Sequence, residues 1–169
     1  MRQLTDKVRF EDKVSVKGFD IILVQAGTND LSNIVKQNLL WCTDLQDVLD
    51  RYVALNTMIR RRNKHAVLLF SAVLPRLNDF GIYAPLAYGL NFALSKWCAK
   101  SGGRRVFVDS AKLFMLNGRP RATAFSQSDG LHLNGFGTDL LEGCYQQVMT
   151  YQYIKEQNES KRVKMLASL

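Results

Sequence analysis

The sequence predicts an α/β fold of three layers, with a parallel sheet between helices. Three observations predict it. Short apolar runs, Ile21–Val24, the stretch to Leu74 and Val106–Val108, show no polar alternation; such runs suit strands covered on both faces. Amphipathic stretches at helical spacing separate them. Polar, turn-forming clusters follow the runs, at the strand ends where open parallel sheets bind ligands.

The elements follow in order. Residues 1–18 are polar and mixed in charge, and Leu4, Val8 and Phe10 share one face of a short helix that Lys17-Gly18 breaks. Residues 19–26 form the first strand, ending in Gly27-Thr28-Asn29-Asp30. Ser32 to Asn38 is a loop or a short helix, and Asp30 caps the turn before it. Thr43-Asp44-Leu45-Gln46 fits a capping box and opens a helix over 44–62, with Leu45, Val48, Leu49, Tyr52, Leu55 and Ile59 on its apolar face. Arg60, Arg61 and Arg62 close it, where cations suit the negative end of the helix dipole.

The second strand spans 66–74 and stops at Pro75. Arg76 to Pro85 is a loop on the site side of the sheet. Leu86, Leu90, Leu94, Trp97 and Cys98 mark a helix over 86–100, ended by Ser101-Gly102-Gly103. Residues 105–108 form the third strand and Ala111 to Met115 a helical turn. Gly118-Arg119-Pro120 begins a loop that runs to Ser128-Asp129-Gly130-Leu131-His132-Leu133-Asn134. Asn134 caps the last helix, over 136–153, whose face is Leu140, Leu141, Cys144, Tyr145, Val148 and Met149. Residues 1–153 thus read as one domain, and 154–169 as a polar, basic tail or fraying helix end.

Composition bounds the function. The 169 residues are 47% hydrophobic and 22% charged, an ordinary globular balance. No apolar run approaches the ~20 residues that span a bilayer, and the N-terminus lacks the apolar core of a secretion signal, so the expected location is intracellular. Cys42, Cys98 and Cys144 make neither a redox pair nor a metal spacing, and Cys98 and Cys144 fall on apolar helix faces as buried thiols. The formal charge is +8. It gathers at Arg60, Arg61, Arg62 and Lys64, at Arg104 and Arg105, at Arg119 and Arg121, and at Lys161, Arg162 and Lys164. Such a balance favours polyanions, so the Arg60–Lys64 cluster is a candidate nucleic-acid contact; solvated helix ends are the plainer reading.

Two clusters carry the chemistry. His132 is the natural base, because imidazole titrates near neutral pH. Asp129, three residues earlier, can reach its far ring nitrogen within one turn of loop. Asn29 carries an amide able to donate to an oxyanion, and Gly27 lets the chain turn tightly before it. His65 stands at the opposite end of the sheet as a surface residue.

Gly27-Thr28-Asn29-Asp30 resembles the third conserved block of SGNH (GDSL-type) esterases and lipases, and Asp129-Gly130-Leu131-His132 resembles their fifth. Over roughly residues 18–150 the chain is similar to that family, and Ser71-Ala72-Val73-Leu74-Pro75-Arg76 is similar to the SGNH-like domains of some retroelement first-reading-frame proteins. The resemblance implies a flavodoxin-like sheet, ester hydrolysis by a Ser-His-Asp mechanism without a cofactor, and a small ester substrate. It implies His132 as base, Asp129 as its partner, and Asn29 with Gly27 at the oxyanion. The family's Gly-Asp-Ser block, which brings the nucleophile, is absent from the sequence. Ser71 lies inside its strand, Ser128 is too close to His132 in sequence, and Ser32 follows Asn29 too closely to replace it. The expectation is a family sheet without its first two strands, inactive as this chain, with an exposed sheet edge through which two copies pair. The alternative is a non-catalytic, basic RNA-binding or assembly module on the same scaffold.

Overall fold

The computed structural model describes Val16 and residues 18–37, 41–78 and 80–167, without the side chains of residues 41–43, 80 and 161–167. The short helix expected around Leu4 and Phe10 and the side chain of Cys42 lie outside the described residues.

Three parallel strands form the sheet, in the order β1 (Ile21–Val24), β2 (Val67–Ser71), β3 (Arg105–Val108). β2 is central and all five of its residues are buried, which is why its apolar run shows no alternation. Two buried clusters flank the sheet, as the two faces of one strand require. Leu68 and Phe70 point into the first, with Val48, Tyr52, Leu55 and Ile59 of α2 (Trp41–Arg62) and Leu86, Leu90 and Leu94 of α3 (Phe80–Ala99). Val67 and Leu69 point into the second, with Phe114, Phe125 and Leu141 and Tyr145 of α4 (Gly135–Ala167). The amphipathic faces read from the sequence are therefore those that cover the sheet.

Several boundaries differ from the sequence expectation. Ser32 to Asn38 reads as a loop or a short helix in the sequence; the structure has a helix there, α1 (Thr28–Gln37), which begins four residues earlier, inside the expected turn. Because α2 begins at Trp41, Thr43 lies inside its first turn and not at its cap. β2 stops at Ser71, four residues before Pro75. Beyond it the Asn91 side chain donates to the Val73 carbonyl at 2.9 Å and accepts from its N–H at 2.8 Å, so a side-chain amide replaces the ladder. α3 begins six residues early and contains Pro85. Proline removes one helix bond, but Gly81, whose carbonyl loses its partner, and Pro85 are both exposed to water, and buried Tyr83, Leu86 and Leu90 hold the turn.

After β3 a 3-10 helix (Ser110–Phe114) leads into a two-stranded hairpin, β4 (Met115–Leu116) and β5 (Arg119–Pro120), then a second 3-10 turn (Ala122–Ala124). The hairpin was read as plain loop. Its signal was Asn117-Gly118, both at positive φ, the dipeptide that favours a two-residue hairpin turn. Asn134 caps α4 as expected, accepting from the Gly137 N–H at 3.0 Å. α4 then continues to Ala167 through the stretch read as a tail or fraying end. No helix among the described residues is long and apolar enough to cross a membrane.

Candidate active site

The two polar clusters both lie beyond the carboxyl ends of the strands. The first is the turn from β1 into α1. Gly27 has φ 100°, and a Cβ there would stand 2.8 Å from the Tyr52 hydroxyl and 2.9 Å from a Val73 methyl. Only glycine fits both the conformation and the space. Tyr52 donates to the Ala26 carbonyl at 2.6 Å, so α2 holds the turn from below. Asn29 follows in the first turn of α1 and is exposed. Asp30 does not cap that turn as expected. It is buried and pairs with Arg51 of α2 at 2.5 Å, a partner the sequence reading missed because it lies on the next helix.

The second cluster is a compact turn. Asp129 accepts from the backbone N–H of Leu131 at 2.8 Å and of His132 at 3.0 Å through one carboxylate oxygen. The other oxygen meets His132 Nδ1 at 2.5 Å. The imidazole bond, then the two backbone bonds, hold the Asp129 carboxyl down at about 2. At neutral pH it is therefore an ionised acceptor, and His132 Nδ1 carries the proton. Nε2 is left facing outward on a side chain 77% exposed, within reach of a ligand. The turn is braced at its base, where Ser126 N–H donates to the His132 carbonyl at 2.7 Å and Gly130 N–H to the Ser126 carbonyl at 2.9 Å.

A third segment, expected from the sequence only as a loop on the site side, touches both clusters. Arg76 donates to the Thr28 carbonyl at 2.9 Å and to the Ser32 hydroxyl. Leu77 N–H donates to the Gly130 carbonyl at 2.9 Å, and the Asn78 amide to the Asp129 carbonyl at 2.7 Å. Gly130 makes this approach possible, since a Cβ there would lie 2.8 Å from that of Leu77. The sequence placed 76–85 on the site side but gave no local sign of these long-range bonds.

The serines considered as nucleophiles are otherwise engaged. Ser71 is buried and bonds Ser110 at 2.8 Å and Tyr145 at 2.7 Å. Ser32 donates to the Thr28 carbonyl at 2.7 Å, and Ser128 bonds Ser126 at 2.7 Å. The Cys98 thiol is buried and pushed up to about 11 by burial. No group of three or more metal-ligating side chains occurs among the described residues.

The basic cluster lies at the opposite end of the sheet. There Arg60 is engaged in structure, donating to the carbonyls of Ala66 and, at 2.7 Å, Arg104. Burial, then nearby Arg104 and Arg105, lower its pKa. Arg104 in turn donates to the Lys64 carbonyl at 2.8 Å. Arg61, Arg62, Lys64 and His65 are exposed.

A parallel sheet with α-helices on both faces and polar loops at the strand ends is a doubly wound α/β fold, and solved structures share it. A candidate acylhydrolase from Bacteroides fragilis superposes with a TM-score of 0.68 at 17% identity, covering 86% of this chain and 68% of its own. A GDSL-like lipase from Bacteroides thetaiotaomicron gives 0.66 at 15% identity, covering 86% and 69%. A candidate platelet activating factor from Streptococcus pneumonia gives 0.62 at 18% identity; this chain spans 59% of its length. These likenesses establish the fold. No protein-family model matches the sequence, and no curated protein does.

Proposed function

We propose that the chain carries the acid–base half of an acyl-ester hydrolase site, with a small ester as substrate. Asp129 orients His132 and stabilises its imidazolium, His132 Nε2 moves the proton, and Asn29 with Gly27 forms the side of the site where an oxyanion develops. The observation that carries this is the 2.5 Å contact of an ionised Asp129 with His132, on a turn bonded to the segment that also holds the Thr28 carbonyl. The likeness to structures described as a lipase and an acylhydrolase supports the same class.

The serines considered above as nucleophiles are engaged elsewhere, so the reaction is written without one. Water then adds to the acyl carbon while His132 takes its proton. Collapse of the intermediate breaks the ester C–O bond, and the proton passes to the departing alkoxide, giving acid and alcohol. Removing the nucleophile of a serine hydrolase costs roughly 10⁶-fold in rate, so turnover of a short-chain nitrophenyl ester should fall far below the ~1–10³ per second of ordinary enzymes. The residual rate should disappear in His132→Ala. Ordinary turnover blocked by a serine-directed phosphonate would instead reveal a nucleophile and overturn the inactive reading.

A second reading has its own support in the basic end of the sheet. Arg60 and Arg104 pin the loops before β2 and β3 together, so Arg61, Arg62, Lys64 and Arg104 present their charge on one end. This end contacts single-stranded RNA weakly, with little sequence preference. Neutralised phosphates release counterions, so affinity should drop steeply between two salt concentrations. Binding indifferent to salt, or none at low salt, removes this reading.

A further inference from the structure

We infer that Arg76 is a positioning residue: it ties the Asn29 turn to the Asp129–His132 turn so that the two act as one site. The inference rests on the hydrolase reading above, but its test needs no turnover.

The two turns belong to loops about a hundred residues apart, and each is internally braced. The sheet brings them to the same end, and anything bonded to both fixes their relative placement further. Residues 76–78 are bonded to both. At one end the Arg76 guanidinium donates to Thr28 and Ser32, at the beginning of α1. At the other, Leu77 and Asn78 bond the carbonyls of Gly130 and Asp129. The preceding Pro75 is buried and fixes its own φ, which leaves little slack in the link.

Arg76 is an expensive residue at this position. It is only 9% exposed, and its Nε has no hydrogen-bond partner. It also stands at the N-terminal turn of α1, where the helix dipole opposes a cation. A leucine or methionine would fill the space without these costs. What arginine adds is a terminal nitrogen, Nη2, that donates to both acceptors, on a guanidinium whose central carbon stands 4.0 Å from the centre of the Tyr83 ring. Lysine offers a strongly hydrated point charge without the stacking on Tyr83, and an apolar residue bonds neither acceptor.

The test is amide hydrogen exchange measured by NMR in Arg76→Met, Arg76→Lys and Asn78→Ala. Methionine keeps much of the stem against Tyr83 and loses the donating nitrogen. In Arg76→Met the amides of Leu77, Gly130 and His132 should exchange at least about tenfold faster, the size expected on losing a charge-assisted bond. Those of Leu68 and Ala72, which bond across the sheet to Arg104 and Val108, should keep their rates. Arg76→Lys should recover part of the protection. Asn78→Ala should speed Leu77 and Gly130 but spare Leu31, whose N–H bonds the Gly27 carbonyl. Loosening confined to the Thr28–Ser32 turn, a uniform change at every amide, or no change would each overturn the tie. The hydrolase reading fails separately, if Asn29→Ala and His132→Ala leave ester turnover untouched.

Discussion

Asp129 and His132 can pair because of their spacing. Three residues of loop let one carboxylate accept two backbone N–H groups and the imidazole together, so the two partners are near neighbours in sequence. That is why this pair was legible in the sequence. Asp30 shows the opposite case. Its position suited a cap, but burial beside Arg51 made it half of an ion pair, and no local pattern could announce a partner on another helix. The Asp129 carboxyl also has a consequence for pH. Its folded value is about 2 against an ordinary 3.8. A depressed carboxyl stabilises the fold fully above its unfolded value and loses that contribution as pH falls through the folded one. Wild type should therefore lose its stability advantage over Asp129→Asn between pH 3.8 and about 2. Urea midpoints at several acid pH values measure this. A constant difference across that range would mean that the His132 contact does not lower the carboxyl in solution.

For the three sheet strands and the long helices, existence and order followed from apolar patterning; their boundaries and the small hairpin did not. The three strands and the helices covering them were legible because burial of whole faces leaves a periodic mark. The ends were set by single distant side chains. Val73 continues the apolar run of β2 but receives its hydrogen bonds from Asn91 of α3, and nothing around Val73 in sequence shows this. Asn91 thus fastens α3 to the carboxyl end of β2, next to the segment that reaches both site turns. Replacing it by leucine leaves the N–H and C=O of buried Val73 without partners. Each unpaired buried group costs about 1–3 kcal/mol, and the half-exposed Asn91 position lets water repay part of it. The expected loss for Asn91→Leu is about 1–3 kcal/mol in urea denaturation. A change within about 0.5 kcal/mol, typical of surface substitutions, would show that water satisfies Val73 and that α3 is fastened by its apolar face alone.

For the whole molecule, the edges of the three-stranded sheet decide its behaviour. β2 is paired on both sides, whereas among the described residues no strand pairs with the outer side of β1. The Asp20 carbonyl bonds Val67 N–H across to β2. Bonding groups alternate along a strand, so Ile22 and Val24 also face β2, and the N–H and C=O of Ile21 and Leu23 point to the open side. Ile21, Ile22 and Leu23 are only half-buried, unlike any residue of β2. Unpaired edges of apolar strands recruit other chains. The expected outcome is self-association through this edge, seen by light scattering as a dimer or as concentration-dependent aggregation. Leu23→Pro separates this from other causes. It removes an outward N–H while sparing the bonds to β2, which is where proline is tolerated in a strand. That variant should stay folded, with the cooperative unfolding of the wild type, and become monomeric. A wild-type chain that is already a monodisperse monomer would overturn the edge assignment. So would a Leu23→Pro variant that unfolds, since its N–H would then have had a partner.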